Sequence, residues 1–452
     1  MKRFILLCLL SAITAFPSVR CYSKNKDRSW IDTSARKIED EVIQWRHHLH
    51  QYPELGNFEY KTADYIAAIL KDLGISTTTG VAKTGVIGIL KGDLPGPVIA
   101  LRADIDGLPV KEETGLPFAS EAKGNYFGKE VDVMHACGHD THTAMLLGAA
   151  KVLAENKQHV AGTVVFIFQP AEEGAADVDP YSKNASSQKG AKRMIEEGVL
   201  SKNKVQAVFG LHVMSGMPSG EIFYKGGAIL NSADGFRVTV NGKQTHGSMP
   251  WLGDDAIVAS AQIITSLQTL VSRKADLSLG MGVISIGSIQ AGSAPNIIPG
   301  KLTFEGTIRS NHPTIRNVLL SGLPPLTEKV AEANNTLATV EITELVPVTM
   351  NDRALTKAMA PYLSKAADGR ITELTTNAAA SEDFSFFAEE VPGLFYFLGA
   401  TPQDMDMKTA ASNHHPKFIV DDAALLTGVK AHVWTVIGFS EIGPALFHEP
   451  EK

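Results

Sequence analysis

The sequence predicts an α/β protein in which a smaller α+β domain is inserted into a larger domain with a mostly parallel, mixed sheet flanked by helices. Three observations predict this fold class. Apolar strand-like and helix-like segments alternate in the first and last parts of the chain, as in parallel sheets. Between them the order is strand, helix, strand, strand, helix, strand, which is the split βαβ or ferredoxin-like plan. A chain of 452 residues is also too long for one ordinary core.

The larger domain is predicted from two kinds of pattern. Amphipathic periodicity indicates helices at residues 38–49 and 62–73, the second ended by Gly74. Continuous apolar runs indicate buried strands, and a run of small residues indicates a helix. These segments are strands at 85–90, 98–104, 162–168, 207–212 and 394–398, with helices at 143–155 and 422–439.

The inserted domain is recognised by a change in hydrophobicity pattern near residue 232, where apolar and polar residues begin to alternate. Its predicted elements are strands at 235–240, 282–289, 302–309 and 335–344 and helices at 256–272 and 313–333. The predicted boundaries are 30–229 and 347–445 for the two parts of the larger domain and 230–346 for the insertion. Interdomain hinges are expected at 229–232 and 346–349.

The N-terminus predicts a processing signal. A short basic stretch at residues 1–3 precedes an apolar run at 4–16, which is too short to span a bilayer. We therefore predict a signal peptide over residues 1–22 and a secreted or periplasmic protein with no membrane segment in its mature form. No later apolar run is expected to span a membrane.

Composition and charge exclude several classes of protein. Hydrophobic residues make up 44% and charged residues 20%, as in soluble globular proteins. The formal net charge is −7, and basic residues do not cluster. Such a surface repels phosphate backbones, so nucleic acid is not an expected partner.

Metal-ligating residue types follow several of the predicted strands. Cys137 and His139 are two residues apart at the start of a helix, with Gly138 between them to allow a tight bend. Glu172 and Glu173 follow one apolar strand, His212 ends another, and His414 lies near the C-terminus. Sites in open α/β sheets lie beyond the carboxyl ends of strands.

Thiolate, imidazole and carboxylate ligands suit a pair of zinc-like or manganese-like ions. One of the adjacent glutamates can bind metal while the other takes a proton from water activated by the ions. Two alternatives stay open at this point: Cys137 as a covalent nucleophile, and a non-catalytic binding protein that keeps the fold.

Short motifs stand in order along residues 30–438. They are RHHLH at 46–50, PELG at 53–56, ALRADIDGLP at 100–109, CGHD at 137–140, EE at 172–173, HGSMP at 246–250, APNIIP at 294–299, GTIR at 306–309 and SEDF at 381–384. In this order they resemble the metallopeptidase superfamily of aminoacylases, carboxypeptidase G and succinyl-diaminopimelate desuccinylase. The branch that looks most similar contains hippurate hydrolase and the plant indole-acetyl-amino-acid hydrolases.

The resemblance implies a function, hydrolysis of the amide bond of N-acyl amino acids, with a dipeptidase or carboxypeptidase as the alternative. It implies two divalent ions per subunit, Zn²⁺ or Mn²⁺, with Co²⁺ or Ni²⁺ as further options. It also implies that the inserted domain is a lid through which a homodimer forms. The implied metal ligands are Cys137, His139, Glu173, His212 and His414.

The remaining implied roles concern catalysis and substrate binding. Glu172 matches the general base. His246 matches a lid histidine that reaches the partner subunit's active site and stabilises the tetrahedral oxyanion. Asn296 and Arg309 match residues that hold the substrate near its carboxylate. The substrate is then a small N-acyl amino acid or dipeptide.

Two segments stand outside this pattern. Residues 175–189 form an insertion directly after Glu173, interpreted as a disordered surface loop or as a flap that tunes specificity. His47, His48 and His50 have no metal role in the family and are interpreted as a polar helix face.

Overall fold

The computed structural model describes residues 27–179, Ser182 and residues 185–446; the predicted signal peptide lies outside them. The α-helices are α1 Ser29–Lys37, α2 Glu39–Gln51, α3 Tyr60–Asp72, α4 His139–Glu155, α5 Gly190–Glu196, α6 Val199–Asn203, α7 Ala256–Thr269, α8 Pro313–Ala333, α9 Arg353–Ala366, α10 Phe384–Glu390 and α11 Ala423–Leu446. The strands are β1 Ser76–Val81, β2 Gly85–Lys91, β3 Leu94–Asp104, β4 Lys123–Tyr126, β5 Lys129–Asp132, β6 Ala161–Gln169, β7 Ala207–Pro218, β8 Ile222–Tyr224, β9 Gly227–Leu230, β10 Ser232–Asn241, β11 Thr245–His246, β12 Gly282–Ala291, β13 Ile297–Ile298, β14 Lys301–Ser310, β15 Leu337–Val346, β16 Thr349–Asn351, β17 Ile371–Glu373 and β18 Gly393–Thr401.

The larger domain is built on an eight-stranded mixed sheet in the order β1-β2-β6-β3-β7-β18-β8-β17. Its central strands β6, β3, β7 and β18 run parallel to one another. They are buried on both faces, which is why the sequence shows them as continuous apolar runs. Because they run parallel, their carboxyl ends lie along one edge of the sheet.

Helices cover this sheet, and two of them are almost entirely buried. α4 buries nearly all of its side chains because it lies between α2 and α11 on one face of the sheet. α11 corrects one expectation, since residues 423–443 are long and apolar enough to cross a membrane. In the structure 83% of that apolar window is buried inside the protein, as in the core helix of a globular domain.

The smaller domain has a four-stranded antiparallel sheet in the order β12-β14-β10-β15. α7 and α8 pack on this sheet and close a separate core around Phe236 and Phe304. The connection order and strand order are those of a ferredoxin-like split βαβ domain. The predicted fold class is therefore confirmed.

The chain enters the smaller domain between β9 and β10 and returns between β15 and β16, and β9 pairs with β16. The predicted hinges at 229–232 and 346–349 fall at these two crossings.

Helix α4 begins at His139, four residues before the predicted start. Its first turn is polar, so apolar periodicity could not show it.

Candidate metal centre

Four segments at the carboxyl edge of the central strands bring the candidate ligands together. Cys137 precedes α4, where Gly138 has the left-handed φ of 95° that lets the chain turn sharply into the helix. The Cys137 Sγ lies 3.3 Å from His212 Nε2 and 3.2 Å from His414 Nε2. His414 Nε2 in turn lies 2.7 Å from a carboxylate oxygen of Glu173.

These side chains form two groups that share the thiol. Cys137, His139 and His212 make one group, and Cys137, Glu173 and His414 make the other; within each group the ligand atoms lie within 4.8 Å of one another. A thiolate common to both groups is suited to bridge two cations. All five sequence-predicted ligands therefore converge.

His139, which is buried, and His212, which is half-buried, each turn one ring nitrogen toward this centre. His212 Nδ1 lies 2.8 Å from the carbonyl oxygen of Val213, so it donates there and leaves Nε2 as an acceptor toward Cys137. His139 Nδ1 contacts the backbone and carboxylate oxygens of Asp106. His139 Nε2 is buried and has no hydrogen-bond partner among the described residues, as expected of a nitrogen that binds a metal.

The electrostatics of the site favour a bound cation. Burial disfavours a charged His139, yet Asp104, Asp106 and Glu173 outweigh it and raise the pKa of His139 to about 10. Burial also acts on Glu173, but its hydrogen bond with His414 lowers the pKa of Glu173 to about 2. Asp104, Asp106 and Glu173 thus concentrate negative charge around His139, and bound protons or metal ions must neutralise that charge. The donor set fits two divalent ions.

Glu172 lies beside the ligands, and its carboxyl pKa is shifted in the opposite direction to that of Glu173. Burial, together with Glu382 and Glu173, raises the pKa of the Glu172 carboxyl well above its ordinary value. Behind it, the buried Arg102 donates to Glu382 and to Asp383. A carboxyl that takes up a proton readily is suited to act as a base and then as an acid.

Asp106 joins the Glu172–Glu173 segment to His139 through hydrogen bonds, and the sequence analysis did not predict this role. Its carboxylate accepts hydrogen bonds from the backbone N–H groups of Glu172 and Glu173, at 3.2 and 3.1 Å. It also contacts His139 Nδ1. A signal existed, because Arg102, Asp104 and Asp106 are spaced by two at the end of an apolar strand and so share one face.

Asn413 joins three of the ligand-bearing segments and was also missed. Its Nδ2 donates to the carbonyl oxygens of Cys137 and Val213, and its Oδ1 accepts from Ser215 N–H. The next residue, His414, adopts a left-handed φ of 70° and donates its N–H to the Ala136 oxygen. These bonds fix the distance between the Cys137 and His414 segments.

The interpretation of the α2 histidine motif as a polar helix face is wrong for His50, which is 1% exposed. Arg46, one turn earlier on the same face, is 2% exposed. Both side chains contact Asp140 of α4, at 2.9 Å from Arg46 Nε and 3.0 Å from His50 Nδ1. They therefore anchor the helix turn that carries His139. His48, by contrast, is exposed on the helix surface, where its ring stacks against Tyr65.

The three predicted lid residues do not form one group. His246 and Asn296 are exposed on the β11–β13 ribbon, where Gly247 N–H donates to the Asn296 oxygen. This ribbon adjoins the end of the sheet at which Asn241 pairs with Lys301. Arg309 is half-buried at the opposite end, where Ser232 pairs with Ser310. At ~3.3 Å per residue these ends are about 30 Å apart.

The described part of the 175–189 insertion is attached to both domains. Asp177 pairs with Lys83, and Ala176 N–H donates to the Gly56 oxygen. At its other end Lys189 Nζ lies 3.2 Å from the Glu172 carbonyl oxygen. A 3₁₀ turn at Ala185–Gln188 packs against β15 of the smaller domain. Its effect on specificity stays a prediction.

Comparison with known proteins adds three findings. Residues 100–436 match the profile of the family described as peptidase family M20/M25/M40. The chain is 38% identical to the N-acetyl-L-cysteine deacetylase of Bacillus subtilis over 389 residues, 86% of each chain. It is 37% identical to the IAA-amino acid hydrolase ILR1-like 2 of Arabidopsis thaliana over 438 residues, 95% of this chain and 92% of the other.

A solved structure is also similar, that of the Bacillus subtilis YXEP protein, described as a dinuclear metal-binding peptidase from the M20 family. The TM-score is 0.72 at 32% identity, covering 90% of this chain and 99% of that one.

Proposed function

Since this chain belongs to peptidase family M20/M25/M40, we propose that it hydrolyses the amide bond of N-acyl amino acids and that two divalent ions serve the reaction. Family membership makes it a hydrolase that acts on amide bonds, in agreement with the resemblance inferred from the motifs. The observation that carries the proposal is the pair of ligand groups sharing Cys137 beside a carboxyl, Glu172, that belongs to neither.

The ligand roles proposed for Cys137, His139, Glu173, His212 and His414 rest on this geometry. When bound, a divalent pair supplies Lewis-acid polarisation of the scissile carbonyl and activates water at neutral pH. The protein's part is to hold the ligands in place through Asp106 and Asn413.

Glu172 is proposed to take up a proton and to return it to the leaving amine. Its surroundings support both halves of that task, because burial and neighbouring carboxylates favour its protonated form while Arg102 opposes them. Cys137 is a less suitable nucleophile, since burial and then Glu173 raise the pKa of its thiol well above the ordinary value.

We propose that the smaller domain is a lid that forms a homodimer. Its edge strand β12 exposes Ile289, and Trp251 and Ile257 of the same domain are also exposed. Exposed apolar side chains of this size near a free sheet edge are typical of interaction surfaces. The separation of about 30 Å between the two ends of the lid sheet also supports a role for His246 and Asn296 in a partner's site, with Arg309 serving its own.

Secretion is proposed from the predicted signal peptide alone. N-terminal sequencing of the mature protein from its host tests it, and a protein that keeps residues 1–22 contradicts it.

The function is tested with purified protein loaded in turn with Mn²⁺ and Zn²⁺ after metal analysis. Release of free amine is measured on N-acetyl and N-benzoyl amino acids and on dipeptides. We expect two equivalents of metal and turnover of the N-acyl amino acids. Faster turnover of dipeptides would favour the peptidase alternative, and absence of turnover on every substrate would reject the proposal.

A further inference from the structure

A small cavity of about 110 Å³ opens directly beside the candidate ligands. The ligand side chains line one side, and Met214, Leu230 and Phe397 line another. Met214 lies two residues after His212 on β7, so the two side chains share one face of the sheet. Phe397 is the partner of His212 on the neighbouring strand β18. The strands that carry the chemistry therefore also build the apolar wall.

The charge of the lining indicates which part of the substrate enters. Among the described residues, no lysine or arginine lines the cavity, whereas Glu172, Glu173 and Glu382 all line it. A substrate carboxylate placed against the apolar wall would lose its hydration without gaining a hydrogen bond from a lysine or arginine side chain. Arg309, at the hinge end of the lid sheet, offers that partner outside the cavity. The acyl group is then the part that faces Met214.

The size of the cavity limits the acyl group. A protein cavity that takes up benzene has a volume of roughly 150 Å³. The cavity beside the ligands is smaller, at about 110 Å³. A short aliphatic chain fits this space, whereas a phenyl or indolyl ring would have to displace its wall.

We propose that this cavity is the acyl-binding site, that it selects short aliphatic acyl groups over aromatic ones, and that Met214 sets the size limit. The inference rests on the proposed function and names the substrate class within it. Met214 is the most adaptable part of the wall, because it is half-buried and unbranched, whereas Leu230 and Phe397 are fully packed.

The test uses full-length, metal-loaded enzyme and one amino acid carrying acetyl, propionyl, butyryl or benzoyl groups. We expect kcat/KM for the acetyl substrate to exceed that for the benzoyl substrate by at least about tenfold, a typical discrimination for an apolar pocket. Met214→Ala should reduce this ratio by about tenfold by accepting the ring.

Met217→Ala is the matched control. Met217 lies on the same strand and packs against the same apolar cluster, but it does not line the cavity. This variant should keep the wild-type ratio. Calorimetric titration of the metal-loaded Glu172→Gln variant with the acetyl and benzoyl compounds should show the same order of affinity without turnover.

Three outcomes overturn the inference: a wild-type enzyme that prefers the benzoyl substrate, an unchanged ratio in Met214→Ala, or an equal change in Met217→Ala. If turnover is confined to dipeptides, or absent, the proposed function is rejected, and the acyl-site assignment is rejected with it. That result differs from hydrolysis of N-acyl amino acids with the wrong preference, which removes the acyl-site assignment alone.

Discussion

The proposed functional side chains are arranged differently at the carboxyl edge of the large sheet and in the smaller domain. At the sheet edge, Cys137 already lies within hydrogen-bonding distance of both His212 and His414. In the smaller domain, His246 and Asn296 are exposed on the ribbon beyond one end of the sheet, and Arg309 lies at the other end. At ~3.3 Å per residue the two ends are about 30 Å apart. The difference indicates that the proposed metal ligands are already in place within one chain, whereas the proposed substrate-orienting residues would need domain movement or a second copy.

The largest effect is expected from Glu172→Gln, which tests the preorganised half. The amide keeps the shape of the side chain but cannot accept and return the proton, so kcat should fall by about 10³-fold or more. Metal content and melting temperature should stay near wild type. A variant with wild-type kcat and a full complement of metal would disprove the base assignment.

His246→Ala tests the lid half and should lower kcat by about 10²-fold, as expected for loss of one donor to a developing oxyanion. The partner-subunit role makes a sharper prediction. Mixing His246→Ala with Glu172→Gln under conditions of subunit exchange should restore activity, because one of the two sites in a mixed dimer is then intact. No recovery, despite proven exchange, would place His246 in its own subunit's site or outside catalysis.

Arg309→Ala should raise KM by about tenfold to 100-fold with a smaller change in kcat, because a charge-assisted hydrogen bond to the substrate carboxylate contributes about 1.5–3 kcal/mol. Arg237→Ala is the control on the same sheet, since Arg237 pairs with Glu305. Steady-state kinetics of both variants test whether Arg309 binds the substrate carboxylate. A change confined to kcat would argue against carboxylate binding.

The smallest effect concerns the buried support of the metal centre. Burial opposes a charged His50, but Asp140 and Glu112 prevail and raise its pKa above the ordinary value. The stabilisation is therefore fully present below pH ~6.5 and is lost as pH rises through the folded-state pKa. His50→Gln should lower the melting temperature of the metal-free protein more at pH 6 than at pH 8.

His48→Gln provides a control of opposite sign for this pH effect. Burial lowers the pKa of His48, so its stabilisation is lost as pH falls. The melting temperature of this variant should be lowered more at pH 8 than at pH 6. Parallel behaviour of the two variants would contradict the assignment.

Much of the fold could be read from the sequence because strand and helix patterns are local. The buried strand β6 and the long helix α8 were predicted close to their observed bounds. The prediction for β7 was wrong at one end, because the strand continues past His212 to Pro218. Short elements such as α5 and β8 were not predicted, because a few residues carry too little periodicity. The first turn of α4 was missed since its residues are polar, although the tertiary fold buries them.

The sequence by itself determined which donor types stand at the ends of which strands, and hence that thiol, imidazole and carboxylate groups would share one edge of a parallel sheet. Only the tertiary structure decided what holds them there. Asn413 donates to a carbonyl oxygen 276 residues away in the chain, and Arg46 contacts Asp140 across two helices. Such bonds depend on the paths of loops and on helix packing, which are set by the burial of the whole core rather than by any local pattern.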